Sequence, residues 1–352
     1  MISPRDPNRP TASARPAHLR KSPRKRIAIA VLSILVGIVV VAAGVFGVLW
    51  TVGRNRLLQG QAPNGTIEGV DLDEEGKRLT YQGHTYVYND RLTTVLFIGT
   101  DRKKTSAQQE NGANGQADAL YLAALDTGTG KVTVLAIPRD IMTDVSIYSV
   151  SGLYQGVRKM QVCLAFAYGD GAHTSCENTV QAVSNLLYGV GISTYFCMDW
   201  KDISILNDLV GGVTVPEYDE AWQPTGRDVL LSGEALEAYL RNRDKTDLNA
   251  SINRVERQVA YLKSLAKTVS EQSRQDITVP VRFYNALNSV SINTLDASKI
   301  TYLTTVFLKG GAQVEFRTLK GEMVQGEEYA EMYLDDVETY EMMLDIFYER
   351  VQ

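Results

Sequence analysis

The feature that most constrains this chain is one uncharged apolar run, residues 27–50, with the sequence IAIAVLSILVGIVVVAAGVFGVLW. Because about 20 helical residues cross the hydrocarbon core of a bilayer, a run of this length predicts one transmembrane helix with a slight tilt. The alternative is a cleaved signal peptide, whose apolar core is usually about 7 to 15 residues long and is followed by a small-residue cleavage site. The length of the run favours the anchor.

Charge divides the chain at this run. Residues 1–26 carry eight Lys or Arg and one acid, Asp6, so they sum to +7; since the whole chain is −5, the remainder sums to −12. The basic flank LRKSPRKR predicts, by the positive-inside rule, a cytoplasmic N terminus and an exported C-terminal part. Residues 1–26 also hold half of the ten prolines, which predicts a disordered tail. The acidic remainder lacks a basic face for nucleic acid, so no such partner is expected.

Cysteine and histidine are scarce in the exported part. Cys163, Cys176 and Cys197 have no metal spacing such as CxxC, and their odd number allows at most one internal bridge. Cys163 with Cys176 is the first pairing to test. With three histidines in the whole chain, a zinc site is not expected. The same scarcity weighs against a Ser-His-Asp or Cys-His enzyme without excluding it.

Alternating strands and helices follow the apolar run and predict a layered α/β fold. Residues 51–90 have the pattern of a stalk with a short pair of polar strands. From residue 93, apolar runs bounded by turns predict strands buried on both faces, in TTVLFIGTDR, DALYLAALDT and KVTVLAIPRD. Among the helices that follow, one is predicted from about Asn249 to Ser270, with its apolar residues on a single stripe.

Charged residues gather where the predicted strands begin or end. Asp101 follows LFIGT, Asp118 opens the next strand, and Arg139 and Asp140 follow LAIP, where Pro138 removes a ladder donor and ends the strand. Taken singly, each is more simply a solvated charge or a local ion pair. Ligands of layered α/β sheets bind at strand ends, so the grouping favours a site.

The segment RNRDKTDLNASINRVERQ, residues 241–258, concentrates Arg241, Arg243, Arg254 and Arg257 in an acidic domain. This concentration costs Coulomb energy unless an anion lies among the arginines. Basic groups in a first helical turn also oppose the helix dipole, by roughly 0.3–1 kcal/mol each, and a bound anion reverses that sign. Because the planar guanidinium donates two hydrogen bonds to one phosphoryl group, the segment predicts a phosphate or pyrophosphate site.

Two carboxylates near several arginines suit a magnesium-pyrophosphate site. Mg²⁺ binds through one or two carboxylates, phosphate oxygens and waters. Asp101 and Asp118 are the predicted metal ligands.

In their order along the chain, these segments resemble the LytR-CpsA-Psr family of bacterial cell-envelope proteins. The resemblance covers about residues 90–270 and rests on LFIGTDR, QADALYLAALD, VTVLAIPRD, LNDLVGGVTV, LEAYLRNRD and NRVERQ. It implies an exported transferase with an α/β/α sandwich around a central mixed sheet. Such proteins move a glycopolymer from an undecaprenyl-pyrophosphate carrier onto peptidoglycan through a phosphodiester. The polyprenyl tail is expected in a hydrophobic tunnel, with Mg²⁺ and arginines on the pyrophosphate.

The resemblance assigns roles to the residues singled out above. Asp101 and Asp118 would be the magnesium-side carboxylates, and Asp101 or Asp140 the general base, between which the sequence does not choose. The pyrophosphate binders, which all lie in the matched motifs, would be Arg139, Arg241, Arg243, Arg254 and, nearby, Gln258. Arg257 has the weaker claim.

One departure from the family concerns the entry to the second strand. The family often has Gly-Arg shortly before the aspartate that corresponds to Asp118, whereas those positions here are Gln116 and Ala117. One phosphate-binding arginine is thus absent.

The predicted organisation has five parts, in chain order: a cytoplasmic tail at 1–26, a transmembrane helix at 27–50, an extracellular stalk at 51–90, the catalytic domain at 91–274, and C-terminal strands and a helix packed on the same domain at 275–352. Two other functions stay open: a hydrolase that releases the carrier's pyrophosphate group to water, and a non-catalytic module that binds polyprenyl-linked glycan. The set of aspartates and arginines favours catalysis over binding alone, and only an acceptor assay separates the transferase from the hydrolase.

Overall fold

The computed structural model describes residues 41–58, 61–101, 112–149, 151–219, 222–244, 246–276, 278–310 and 313–351. Residues 41–57 are helical (α1), and Leu49–Gln352 form one compact unit. Within the described ranges no helix combines the length and apolar character needed to cross a bilayer. The predicted tail at 1–26 and most of the predicted span at 27–50 lie outside the described residues, so both stay predictions.

A six-stranded mixed sheet lies at the centre of this unit. From one edge to the other its strands are β12 (Ser291–Asn293), β9 (Thr194–Asp199), β4 (Leu92–Thr100), β5 (Ala117–Asp126), β6 (Lys131–Ile137) and β13 (Gln313–Thr318). The pairs β9–β4 and β6–β13 are parallel, and the other pairs are antiparallel. The predicted central mixed sheet is therefore confirmed.

The helices cover both faces of this sheet. They are α2 (His173–Leu186), α3 (Ile203–Leu209), α4 (Gly233–Arg241), α5 (Ala250–Gln275), α6 (Val279–Val290), α7 (Ala297–Gly310) and α8 (Asp336–Phe347), with 3₁₀ helices at Val162–Tyr168 and Trp200–Asp202. One hydrophobic cluster joins the sheet to α2, α8 and the first 3₁₀ helix, and another joins β5 and β6 to α5 through Val255 and Val259. Helix α5 confirms the predicted amphipathic helix, whose apolar stripe faces the sheet.

The other described strands form smaller sheets beside this core. β1 (Val70–Leu72), β2 (Arg78–Tyr81), β3 (His84–Tyr88) and β16 (Tyr348–Arg350) form one antiparallel sheet; the hairpins are β7 (Met142–Tyr148) with β8 (Tyr154–Gln161), β10 (Val213–Tyr218) with β11 (Pro224–Leu231), and β14 (Gly321–Gln325) with β15 (Ala330–Leu334). The segment predicted as a stalk thus contributes β1–β3, and β3 pairs with the C-terminal strand β16.

The structure has no bridge between Cys163 and Cys176, the pairing that the sequence put first for testing. All three cysteines are buried, and no disulfide joins them. The backbone N–H of Cys163 donates to the carbonyl of Arg139 at 3.2 Å, whereas Cys176 and Cys197 belong to the apolar cluster between α2 and the sheet. Cys163 and Cys176 therefore occupy different environments.

Candidate active site

Asp118 reaches the end of the sheet through a β-bulge. Strands β4 and β5 pair regularly up to Gly99 with Ala119, and the next pair joins Thr100 to Ala117, so Asp118 is the extra residue. A bulge interrupts the alternation of side chains and redirects one of them. The Asp118 carboxylate is 12% exposed and accepts a hydrogen bond from Arg139.

Arg139 lies at the centre of a charged cluster that also contains Asp118, Asp140 and Arg254. Strand β6 ends at Ile137, as Pro138 predicts. The Nη1 group of Arg139 donates to Asp118 Oδ1, while its Nε lies 3.4 Å from Asp140 Oδ1 without a hydrogen bond. The side chain is 13% exposed. The structure therefore brings Asp118, at the start of β5, together with Arg139 and Asp140, which follow β6.

Gln116 connects Asp101 to that cluster. Its backbone N–H donates to Asp101 Oδ1 at 2.8 Å, and its carbonyl accepts from the backbone N–H of Asp101 at 3.4 Å. Its side-chain oxygen accepts from Nη2 of Arg139. The sequence identified this position only by the missing arginine, and no local signal in it indicates the bridging role.

Arg254, in the second turn of α5, is buried beside other cations. It is 6% exposed, its Nη2 lies 3.5 Å from the carbonyl of Asp118, and its Nε has no hydrogen-bond partner. Burial first, and then the guanidinium groups of Arg139 and Arg243, lower the pKa of Arg254 to about 10. Two buried Nε–H groups without acceptors, on neighbouring cations, form an environment that a bound anion would stabilise.

Arg257, one turn further along α5, is held entirely by protein groups. It is 1% exposed, its Nε donates to the carbonyl of Tyr239 at 3.0 Å, and its Nη1 donates to the carbonyl of Asn253 at 3.3 Å. Its Nη2 donates to the carbonyl of Asn242, and its guanidinium stacks over Trp222 at 3.7 Å. Because the end of α4 leaves carbonyls without helical partners, Arg257 fastens the segment that leads to Arg243.

The two arginines of the RNR segment differ. The charge of Arg243 lies close enough to Arg254 to lower the pKa of that side chain, which puts Arg243 at the cluster. Arg241 is the last residue of α4, is 41% exposed, and forms an ion pair with Glu237 at 2.6 Å. That pair connects residues four apart on one helix face, so Arg241 is a weaker candidate than its spacing predicts.

An apolar cavity of ≈ 690 Å³ lies next to the charged cluster, since its lining includes Ala119, which follows Asp118, and Gln258, one turn after Arg254. It lies between the sheet and α5, where Ala119 and Ala123 of β5 leave space and Phe97 stacks on Phe196 at 5.7 Å. Phe97 is 37% exposed in mid-sheet because it faces this cavity. A cavity of about 300–1,000 Å³ is the usual size of a ligand site. The sequence alone does not distinguish such a wall from an ordinary core.

Gln258 stands where the cavity meets the cluster, one turn after Arg254. Its Oε1 accepts from the hydroxyl of Tyr121 at 2.8 Å, and its Nε2 donates to the carbonyl of Leu240 at 3.0 Å. Both ends of the amide are thus bound to protein. Gln258 shapes the polar end of the cavity rather than offering a free group to phosphate.

Comparison with known proteins decides the family. A sequence model described as the LytR_cpsA_psr family matches residues 69–345. The chain belongs to the LytR_cpsA_psr family. This membership confirms the resemblance carried by the strand-end motifs and extends it to the N-terminal strands β1–β3 and to α8.

Relatives within the LytR_cpsA_psr family have named activities. Two proteins called polyisoprenyl-teichoic acid–peptidoglycan teichoic acid transferase TagU match: that of Oceanobacillus iheyensis is 23% identical over 266 residues, covering 73% of this chain and 76% of that protein, and that of Bacillus licheniformis is 27% identical over 171 residues, covering 47% and 48%. The crystal structure of TagV from B. subtilis is 20% identical, covers 72% of this chain and 95% of its own, and has a TM-score of 0.56, which shows the shared fold. The predicted enzyme class, a transferase of phosphorus-containing groups, is confirmed.

The two predicted metal ligands of this LytR_cpsA_psr protein lie at the same end of the sheet. Each has its Oδ1 engaged, Asp101 by the N–H of Gln116 and Asp118 by Arg139. In the described part of the chain, no group of three or more His, Cys, Asp or Glu is arranged to hold a metal alone. The donor set suits an ion shared with a phosphate, because Mg²⁺ needs only one or two carboxylates when phosphate oxygens and waters complete its shell.

Proposed function

We propose that this chain moves a glycopolymer from a polyprenyl-pyrophosphate carrier to a hydroxyl of peptidoglycan or another cell-wall glycan, forming a phosphodiester. The observation that carries the proposal is that two unlike sites lie next to each other along β5 and α5. The unpartnered N–H groups of Arg139 and Arg254 suit a pyrophosphate, and the adjoining cavity suits an apolar chain. The names of the TagU relatives support the polymer and the acceptor.

Arginines would do most of the binding. Phosphoryl transfer depends mainly on positioning and on neutralising the phosphate oxygens. Arg254, Arg139 and Arg243 would hold the pyrophosphate, with Arg139 oriented by Asp118 and Gln116. Mg²⁺, bound through Asp101 and Asp118, would neutralise further phosphate charge.

The reaction would be an in-line displacement at the phosphorus attached to the sugar. A bond forms from the acceptor oxygen to this phosphorus, the bond to the bridging oxygen breaks, and polyprenyl phosphate leaves. The hydroxyl proton passes to a carboxylate. We assign this general base to Asp101, which is partly exposed, because Asp140 is 8% exposed and lies against Arg139.

The test is an acceptor assay with the full chain in detergent, a synthetic polyprenyl-pyrophosphate sugar, Mg²⁺ and a glycan acceptor. Polyprenyl phosphate appearing together with linked glycan supports transfer. Release without linkage identifies the hydrolase instead, and no release contradicts both. Arg139→Ala and Arg243→Ala should abolish turnover with the fold intact, whereas Arg241→Ala, which removes an exposed ion-paired side chain, should retain it.

We further propose that residues 27–50 anchor the protein by a single pass, with residues 1–26 cytoplasmic and the catalytic domain outside the cell membrane. The uncharged run and the basic flank before it support this orientation. The same placement would put the catalytic domain on the outer side of the membrane that carries a polyprenyl donor.

A further inference from the structure

The β14–β15 hairpin is fixed to the loop that carries Arg139. Strand β13 runs parallel to β6 as far as Thr318 beside Ala136, so the hairpin begins at the end of the sheet where β6 gives way to this loop. The backbone N–H of Met332 then donates to the carbonyl of Asp140 at 2.9 Å, and Met332 forms a parallel bridge with Ile141.

These two contacts hold β15 beside the turn that contains Arg139 and Asp140. A hydrogen bond from Gln161 Nε2 to the carbonyl of Ala330, at 3.3 Å, holds that point of the strand. Tyr329 and Tyr333 lie on either side of Met332 along this segment, whose Met332 N–H contacts Asp140, the residue next to Arg139.

The outer face of this hairpin combines aromatic rings with carboxylates. Tyr329 is 68% exposed and Tyr333 is 42% exposed, whereas Met332 between them is buried at 1%. The hydroxyl of Tyr333 donates to Glu331 Oε2 at 2.6 Å, which fixes both side chains. Tyrosine rings offer rigid apolar faces with a polar end, and carboxylates are strong hydrogen-bond acceptors, which together suit a ring with C–H faces and hydroxyl edges.

Charge separates this face from the phosphate cluster. Residues 321–349 contain ten Asp or Glu and no Lys or Arg, including Glu322, Glu327, Glu328 and Glu331 of the hairpin. Such a surface repels a polyanionic donor, whose phosphates the arginines on the other side of the Arg139 loop attract. A neutral or amine-bearing glycan meets no such repulsion.

We propose that the outer face of the β14–β15 hairpin is the acceptor site, where Tyr329 and Tyr333 stack on sugar rings of a peptidoglycan-type glycan and Glu331 accepts hydrogen bonds from its hydroxyls. The bound glycan extends past Tyr329 and presents a hydroxyl at the Arg139 loop. This inference rests on the proposed transfer function and adds the surface that receives the second substrate.

The test compares Tyr329→Ala/Tyr333→Ala with Tyr154→Ala in the full chain. Tyr154 is 60% exposed but lies at the tip of the β7–β8 hairpin, about 20 Å along the strand from Met142. The double variant should raise the acceptor KM at least tenfold and leave the donor KM and the melting temperature unchanged. The single variant Tyr333→Phe keeps the ring, so its acceptor KM should stay close to that of the unsubstituted protein. Tyr154→Ala should change neither KM.

A direct binding measurement separates this inference from the proposed function. Soluble peptidoglycan glycan fragments are titrated into the full chain without donor. Binding that is lost in the double variant and kept in Tyr154→Ala supports the acceptor site even if no donor is turned over. Three results would each overturn the inference. Fragment binding could be unchanged in the double variant, this face could bind a polyphosphate with equal affinity, or the double variant could abolish a self-association of the chain.

Discussion

The regions around Arg254 and Arg257 are one helical turn apart and differ in kind. Both side chains are buried, at 6% and 1% exposure, and burial is the first cause that lowers each pKa to about 10. The next cause separates them: the like charge of Arg139 lowers the pKa of Arg254 further, whereas the Tyr239 hydroxyl raises that of Arg257. A buried arginine with a lowered pKa is therefore not by itself a ligand site. Unpartnered N–H groups among like charges distinguish one.

The largest effect is expected from Arg254→Met. Removing one positioned cation from a phosphoryl-transfer site costs about 100-fold or more in rate. Stability should stay the same or rise, because the change removes a buried charge beside two other cations. Donor kcat/KM and thermal unfolding, measured on the same preparation, check both parts. A clear fall in melting temperature would show that Arg254 stabilises the fold, as Arg257 does, and would contradict the distinction between the two arginines.

Arg257→Met should show the opposite pattern. It leaves three carbonyl oxygens without their donor and removes the stacking on Trp222, so the free energy of unfolding should fall by about 3 kcal/mol. Urea denaturation measures this loss, with Arg254→Met as the matched control. Turnover per folded molecule should fall much less than in that control. A loss under about 1 kcal/mol would show that the carbonyls find other partners.

Sequence reasoning placed both arginines near the start of one predicted helix, which is correct, but spacing alone does not separate their roles. The partners of Arg257 come from α4 and from Trp222, which are remote in sequence and meet only in the fold. The strand ends were predictable because Pro138 and the apolar runs act locally. The bulge at Asp118, the bridge through Gln116 and the cavity were not, because each depends on register or packing between separate elements.

A smaller effect should follow from filling the cavity with Ala123→Phe. If the apolar wall holds a polyprenyl chain, the larger side chain should lower kcat/KM about tenfold for a long-chain donor and little for a donor with a short chain. Leu262→Met, a substitution of similar volume in the same wall, is the control. Equal losses with both donors would mean that the region around Arg254 binds substrate without help from the cavity.

The smallest expected effect is a change in proton uptake when pyrophosphate binds, which compares Arg254 with Arg257. The pKa of Arg254 is about 10, below its ordinary value, so near pH 10 about half of these side chains are uncharged in the free protein. A bound pyrophosphate favours the charged form and raises this pKa, so binding should take up a proton near pH 10 and almost none near pH 8, with affinity about twofold weaker at the higher pH.

Calorimetry in buffers of different ionisation enthalpy measures the uptake. It should vanish in Arg254→Met and persist in Arg257→Met, because Arg257 has the same lowered pKa but donates to carbonyls that an anion does not replace. If the uptake were lost in Arg257→Met instead, the anion would bind at Arg257, and its assignment to Arg254 would be wrong.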